Sequence, residues 1–179
     1  MTTLRADGAY RRYVLHYYNR FANLYDLGEF ARHRTRRKAL VLSGWQPGEL
    51  VLDLCTGTGG LALTFASHGA KVIGVDIARG MLKRASAKGI RSTVNWLEMD
   101  ATRLGFPNEA FDVSVLSLAL HHMPEEVQLN VLRELRRVTR RRIVLIEPEV
   151  PVKPNWFRAW AFVASVIDES EYMHEWVRQ

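Results

Sequence analysis

A glycine-rich turn, three aspartates and a pair of histidines are the residues of this sequence best placed to do chemistry. The turn reads Asp53-Leu54-Cys55-Thr56-Gly57-Thr58-Gly59-Gly60, and its glycines let the backbone turn tightly and approach a ligand closely. Asp76 stands 23 residues beyond Asp53. A carboxylate at that place can accept hydrogen bonds from both hydroxyls of a ribose. Asp100-Ala101 offers a side-chain acceptor beside a backbone N–H, a pair that can frame an adenine edge. Ser117-Leu118-Ala119-Leu120-His121-His122 brings two imidazoles, which titrate near neutrality and suit a general base.

Each of these groups follows a short apolar run that reads as a buried strand. Strands are expected over residues 50–55, 71–76, 93–98, 111–117 and 142–147. Helices are expected over 61–68, 79–88 and 125–139, the first two stopped by Gly69 and Gly89. This alternation predicts an α/β fold, a doubly wound parallel sheet with helices on both faces. Ligands bind such a sheet beyond the C-terminal strand ends. All four groups fall there.

Ahead of the core, residues 9–25 carry Tyr10, Tyr13, Val14, Tyr17, Phe21, Leu24 and Tyr25 at helical spacing, with Arg11, Arg12 and Arg20 on the other face. A second helix is expected over 30–42, closed by Ser43-Gly44. The chain thus divides into an N-terminal helical cap over 1–45, a core over 46–150 and a helical segment over 151–179. Residues 155–167 are apolar nearly all round, which suits burial, dimerisation or contact with a membrane surface.

Composition narrows the function further. A chain of 179 residues makes one domain. Its single cysteine, Cys55, cannot close an internal disulfide, and with no CxxC pair no metal site is expected. No signal sequence and no apolar run of about 18 residues appears, so a soluble, cytoplasmic protein is expected. The net charge of +6 is concentrated in residues 1–45, which hold nine basic and three acidic residues. Such an end suits an anionic partner or a solvated helix face.

Two nucleoside cofactors compete for the turn. Gly57-Thr58-Gly59-Gly60-Leu61-Ala62 satisfies G-x-G-x-x-A, the pattern of nicotinamide and flavin dinucleotide sites. A dinucleotide, however, lays its pyrophosphate over this turn. Asp53 entering the turn would oppose that anion by roughly 1 kcal/mol or more. S-adenosylmethionine carries a cationic amino-acid tail, a ribose, an adenine and no phosphate. It fits better.

The run Val51-Leu52-Asp53-Leu54-Cys55-Thr56-Gly57-Thr58-Gly59, then Gly74-Val75-Asp76, Asp100-Ala101 and Phe111-Asp112, resembles the ordered motifs of class I S-adenosylmethionine-dependent methyltransferases. Phe21-Ala22-Asn23-Leu24-Tyr25-Asp26 and Ile146-Glu147-Pro148 are similar to the ubiquinone/menaquinone C-methyltransferase group. The resemblance implies a Rossmann-like sheet of order 3-2-1-4-5. It also implies that Asp53, Cys55, Thr56, Gly57 and Gly59 address the methionine part, Asp76 and Ile77 the ribose, and Asp100 and Ala101 the adenine. Ser117 and Leu118 would wall the transferred methyl, Tyr25 would close a lid with Tyr10, Tyr17 and Phe21, and Trp156 and Trp160 would lie near an apolar acceptor. His121 or His122 would serve as the base where the acceptor must lose a proton.

The chain departs from the class at several points. Cys55 and Gly60 stand where a glycine and an acid are usual, and Arg140-Arg141-Arg142 replaces a Pro-Gly-Gly turn. The usual C-terminal antiparallel hairpin is not legible after residue 147. Strand five is then expected to be a sheet edge, covered by self-association into a homodimer or by residues 151–179. The leading expectation is methyl transfer to a small or lipid-like, quinone-like acceptor. A dinucleotide oxidoreductase and a non-catalytic scaffold for the same cofactor stand as alternatives. With no Asn-Pro-Pro-Tyr type motif after strand four and no RNA-binding module, no nucleic acid partner is expected.

Overall fold

A computed structural model describes residues 3–22, 33–89 and 93–147 of the chain. Tyr25, Trp156, Trp160 and the segment 151–179 lie outside these described residues, as do the expectations that rest on them. The elements run α1 (Thr3–Phe21), α2 (His33–Ser43), β1 (Leu50–Leu54), α3 (Gly60–Ser67), β2 (Lys71–Asp76), α4 (Arg79–Lys88), β3 (Val94–Glu98), β4 (Phe111–Ser117), α5 (Glu125–Val138) and β5 (Thr139–Ile146). The five strands form one sheet in the order β3-β2-β1-β4-β5, with every neighbouring pair parallel. This is the Rossmann-like order expected.

Alternation along the strands sorts the core into two layers. Leu52 and Leu54 of β1 join Val75, Leu116 and the α5 residues Val127, Val131, Leu135 and Val138 in one buried cluster. Val51 joins Val72, Val113, Val115 and Val144 in another, against Ala39 of α2 and Leu61 and Phe65 of α3. Phe111 packs with the first cluster although Val113 packs with the second. An irregularity of the β4–β5 ladder between them allows that switch of face. In α5 the buried positions 127, 131, 135 and 138 make one helical stripe, with Glu125 and Glu126 in its first turn and Arg136 and Arg137 in its last. Both charge placements favour the helix dipole.

Two element ends differ from expectation. Helix α1 begins at Thr3, six residues earlier than the aromatic stripe indicated. Helix α5 passes directly into β5 at Thr139 with no turn between. The three arginines are therefore strand residues, and each has distant partners. Arg140 donates to Asp112 Oδ1 at 2.9 Å, Arg141 to Glu49 Oε2 at 2.6 Å, and Arg142 to the Leu42 carbonyl at 2.9 Å. Asp112 also accepts from the Leu50 amide at 2.9 Å. Phe111-Asp112 thus fastens the start of β1 to the start of β5, far from the ligand end.

Candidate functional site

The C-terminal ends of β1, β2, β3 and β4 bring the expected groups to one edge. At β1, Cys55 and Gly57 both have φ 56 and Gly59 has φ 81. Left-handed backbone costs a non-glycine residue about 1–2 kcal/mol, so Cys55 sits under strain. The two glycines do different work. A Cβ at Gly57 would meet no atom of the described residues within 4 Å, whereas one at Gly59 would lie 2.5 Å from the Trp96 ring and 2.8 Å from Ala85. Gly57 leaves an open face for a ligand, and Gly59 lets the turn close onto β3 and α4. Burial pushes the Cys55 thiol pKa well up, with Asp76, Asp53, Glu147 and Asp100 adding to it. Such a thiol is a poor nucleophile.

Asp53 is 1% exposed. Its Oδ2 accepts from the Thr56 hydroxyl at 2.6 Å and the Ala62 amide at 3.0 Å. Its Oδ1 is buried and has no hydrogen-bond partner among the described residues. Burial pushes the carboxyl up to about 7, against the lowering effect of the Thr56 and Ala62 bonds. A buried carboxylate oxygen left without a donor suits a cationic ligand group, reached directly or through water.

Asp76 binds the same turn from β2. Its Oδ2 accepts from the Gly57 amide at 2.8 Å and its Oδ1 from the Ala78 amide at 2.8 Å. Burial raises its pKa, while the Ala78, Gly57 and Ile77 amides pull it down. A carboxylate has about four acceptor sites, so beside these amides capacity for a ligand hydroxyl remains. Asp100 and Ala101, past β3, are half-buried. Asp100 Oδ1 accepts from the Thr102 amide at 2.9 Å and hydroxyl at 2.7 Å. Arg11 Nε of α1 stands 3.8 Å from Asp100 Oδ2.

The segment after β4 folds inward. Leu118 has φ 55, a second strained non-glycine at this edge, and its amide donates to the Ile146 carbonyl at 2.7 Å. A single turn of 3₁₀ helix, Leu120–His122, follows with all three residues buried. His121 Nδ1 is 2.5 Å from Glu147 Oε2. Glu147 Oε1 accepts from the Ala119 and Leu120 amides at 3.0 and 2.9 Å, and Oε2 from the His121 amide at 3.4 Å. Burial raises the Glu147 pKa, but His121 and these amides outweigh it and hold the carboxyl below its usual value. Burial and the neighbouring His121 drive His122 down to about 3, so its imidazole is neutral. Both histidines are therefore interior groups, and His121 has its Nδ1 engaged.

Helix α1 lies against this edge. Asn19 Oδ1 accepts from the Gly80 amide at 2.6 Å, and the Tyr18 ring meets His122 edge-on with centroids 6.1 Å apart. Tyr13 and Tyr17 stack on each other at 5.7 Å, and Tyr10 packs against the α5-side core. Arg36 of α2 sits on Gly60, filling the space a side chain there would need. Its charge lowers Asp53 slightly against burial. Sequence reasoning passed over Glu147, Trp96, Arg36 and Tyr18 as parts of the site. Among the described residues no group of three or more His, Cys, Asp or Glu could hold a metal.

Comparison with known proteins gives this geometry a context. A family model described as a methyltransferase domain matches residues 51–142. A curated 2-phytyl-1,4-naphtoquinone methyltransferase of Synechococcus elongatus is 35% identical over 144 residues, which cover 75% of this chain and 61% of that protein. A demethylmenaquinone methyltransferase of Paenarthrobacter aurescens is 34% identical, covering 69% of this chain and 48% of that one. The chain thus spans between about half and three fifths of these relatives' lengths. Among solved structures, the YcgJ protein of Bacillus subtilis superposes with a TM-score of 0.66 at 25% identity, over 77% of this chain and 60% of that one. The magnesium protoporphyrin IX methyltransferase of Synechocystis, solved with bound S-adenosylmethionine, has a TM-score of 0.56 at 26% identity, over 65% and 57%.

Proposed function

We propose a function from the premise that this chain belongs to the methyltransferase-domain family: it binds S-adenosylmethionine and passes the methyl group to a small or lipid-like acceptor, quinone-like in shape. The observation that carries the cofactor reading is Asp53. Its buried Oδ1, without a donor among the described residues, suits an ammonium and opposes a pyrophosphate. A dinucleotide oxidoreductase is disfavoured on the same ground.

Bound in this site, the cofactor would supply a methyl on a positively charged sulfur, open to in-line attack. The residues of this chain bind and orient. Asp53 takes the ammonium end, Asp76 with Ile77 the ribose, and Asp100 with Ala101 the adenine. Gly57 leaves room for the methionine part, and Ser117 and Leu118 form the wall beside the methyl. Holding two reactants in line can itself lower the barrier by several kcal/mol, about 7–11 at the upper end. His121 or His122 would take a proton where the acceptor must lose one. Of the two, His121 is the better base, since a ring nitrogen bound by Glu147 sets its orientation.

The quinone-like acceptor is supported by the names of the two curated relatives. Residues of this chain support peripheral contact with an anionic membrane surface. On α2, Arg34, Arg37, Lys38, Val41 and Leu42 line a shallow hollow of about 470 Å³, and Val41 and Leu42 are 77% and 61% exposed. Their spacing puts them on one helical stripe. No helix among the described residues is long and apolar enough to cross a membrane. The same reading keeps the protein cytoplasmic, with a homodimer as the other way to cover apolar surface.

Labelled S-adenosylmethionine offered to quinol, phenol, lipid and RNA pools tests the function. Label entering the quinol or lipid pool is expected. Label entering RNA alone, or no pool, would contradict the reading.

A further inference from the structure

We propose that Glu147 is a positioning residue whose carboxylate fixes the loop after β4 in the shape the reaction needs, acting through three backbone amides and the His121 ring. The proposal rests on the methyltransferase reading above. Four donors converge on this one side chain: the amides of Ala119, Leu120 and His121, and His121 Nδ1. The carboxylate is 15% exposed and the His121 side chain 4%. Charge-assisted bonds in such shelter are the strong kind.

The loop needs a clamp. Leu118 is held at φ 55, a conformation that persists where the surroundings over-determine it. Its amide is tied to Ile146, the residue before Glu147, and Ser117 pairs with Ile146 in the sheet. Ile146, the last residue of β5, and Glu147 just after it therefore determine where residues 117–121 go. Ser117 and Leu118 are the expected wall beside the methyl, so a displaced loop would misplace that wall. None of the Glu147 bonds touches the turn at β1 or the Asp76 cradle. The clamp can fail while the ribose and ammonium ends stay in place.

Glu147→Gln keeps the shape and loses the charge, and its amide NH₂ would face a donor. Two readouts on the full chain test the proposal, beside wild type and His121→Asn. In amide hydrogen exchange without added cofactor, Glu147→Gln should raise exchange across 118–122 by about tenfold or more while residues 50–76 keep wild-type protection. In methyl transfer to the acceptor found by the pool screen, kcat should fall by about tenfold or more with the cofactor KM within about threefold of wild type. His121→Asn, which leaves the three amide bonds, should give a smaller change in loop exchange than Glu147→Gln. Unchanged loop exchange overturns the proposal, and so does faster loop exchange with kcat unaltered. Uniformly faster exchange over the whole core also overturns it, since Glu147 would then be a general stabiliser. If wild type methylates nothing, the functional reading fails, and the exchange comparison still decides whether this carboxylate holds the loop.

Discussion

Replacing Asp53 by asparagine should make the protein more stable at neutral pH and weaken its hold on the cofactor. In the fold this carboxyl is buried and pushed from 3.8 up to about 7. Between those values the folded state keeps a proton that the unfolded chain has released. Stability from this group is therefore greatest below pH 4 and drains away as pH rises towards 7. At about 1.4 kcal/mol per pH unit, the loss approaches about 4 kcal/mol as an upper figure, and water entering the site would reduce it to about 2. Asparagine carries no charge, can still accept from Thr56 and Ala62, and escapes the loss. Urea unfolding of both proteins at pH 5, 6, 7 and 8 reads the effect. The wild-type midpoint should fall relative to the variant across that range, with the variant ahead by about 2–4 kcal/mol at pH 8. Parallel pH profiles, or a variant less stable at pH 8, would refute the claim that Asp53 is a buried, strained acid. The variant should also bind S-adenosylhomocysteine more weakly, as an ammonium would lose its counter-charge.

Asp76→Ala removes the acceptor for a ribose hydroxyl and the partner of the Gly57 amide. Lost charge-assisted bonds of about 1.5–3 kcal/mol imply cofactor binding weaker by about tenfold or more, which calorimetry reads. An unchanged affinity would mean that Asp76 does not touch the ribose. Cys55→Gly relieves a left-handed residue at φ 56 and should raise the urea midpoint by about 0.5–1 kcal/mol equivalent, part of the relief being lost to glycine's chain entropy. A lower midpoint would show that thiol packing outweighs the strain. Vesicles containing anionic lipid should pull the protein up in a flotation gradient. Val41→Glu with Leu42→Glu should abolish that, whereas flotation unaffected by the pair would move any membrane contact away from α2.

What the sequence made legible was local. Residues 50–55 and 71–76 are apolar runs that carry an aspartate at or near their end and lead into a turn, so strand, strand end and site group are read together. The order of the sheet came through resemblance to a family, and the observed pairing agrees with it. Long-range partnerships were hidden. Glu147 lies 26 residues from His121, and their meeting depends on the β4–β5 register. The histidine pair read as a candidate base from residue type alone, and its burial came only with the fold. The packing role of Gly59 was hidden too, because nothing nearby in sequence announces the Trp96 ring that presses on it. Arg140-Arg141-Arg142 read as a broken turn because their partners lie 28, 92 and 100 residues away. The aromatic stripe of α1 was clear, yet its fastening through Asn19 and Tyr18 required α4 and the loop after β4 to be in place.

The central claim is that the edge formed by Asp53, Gly57, Asp76 and Asp100 accepts a nucleoside with a cationic amino-acid tail and rejects one with a pyrophosphate. Calorimetric titration of the full chain at pH 7.5 with S-adenosylhomocysteine and, separately, with NADH tests it directly. Saturable binding of S-adenosylhomocysteine at one site per chain, with no heat from NADH, is the result predicted here. Saturable NADH binding without S-adenosylhomocysteine binding would contradict the account.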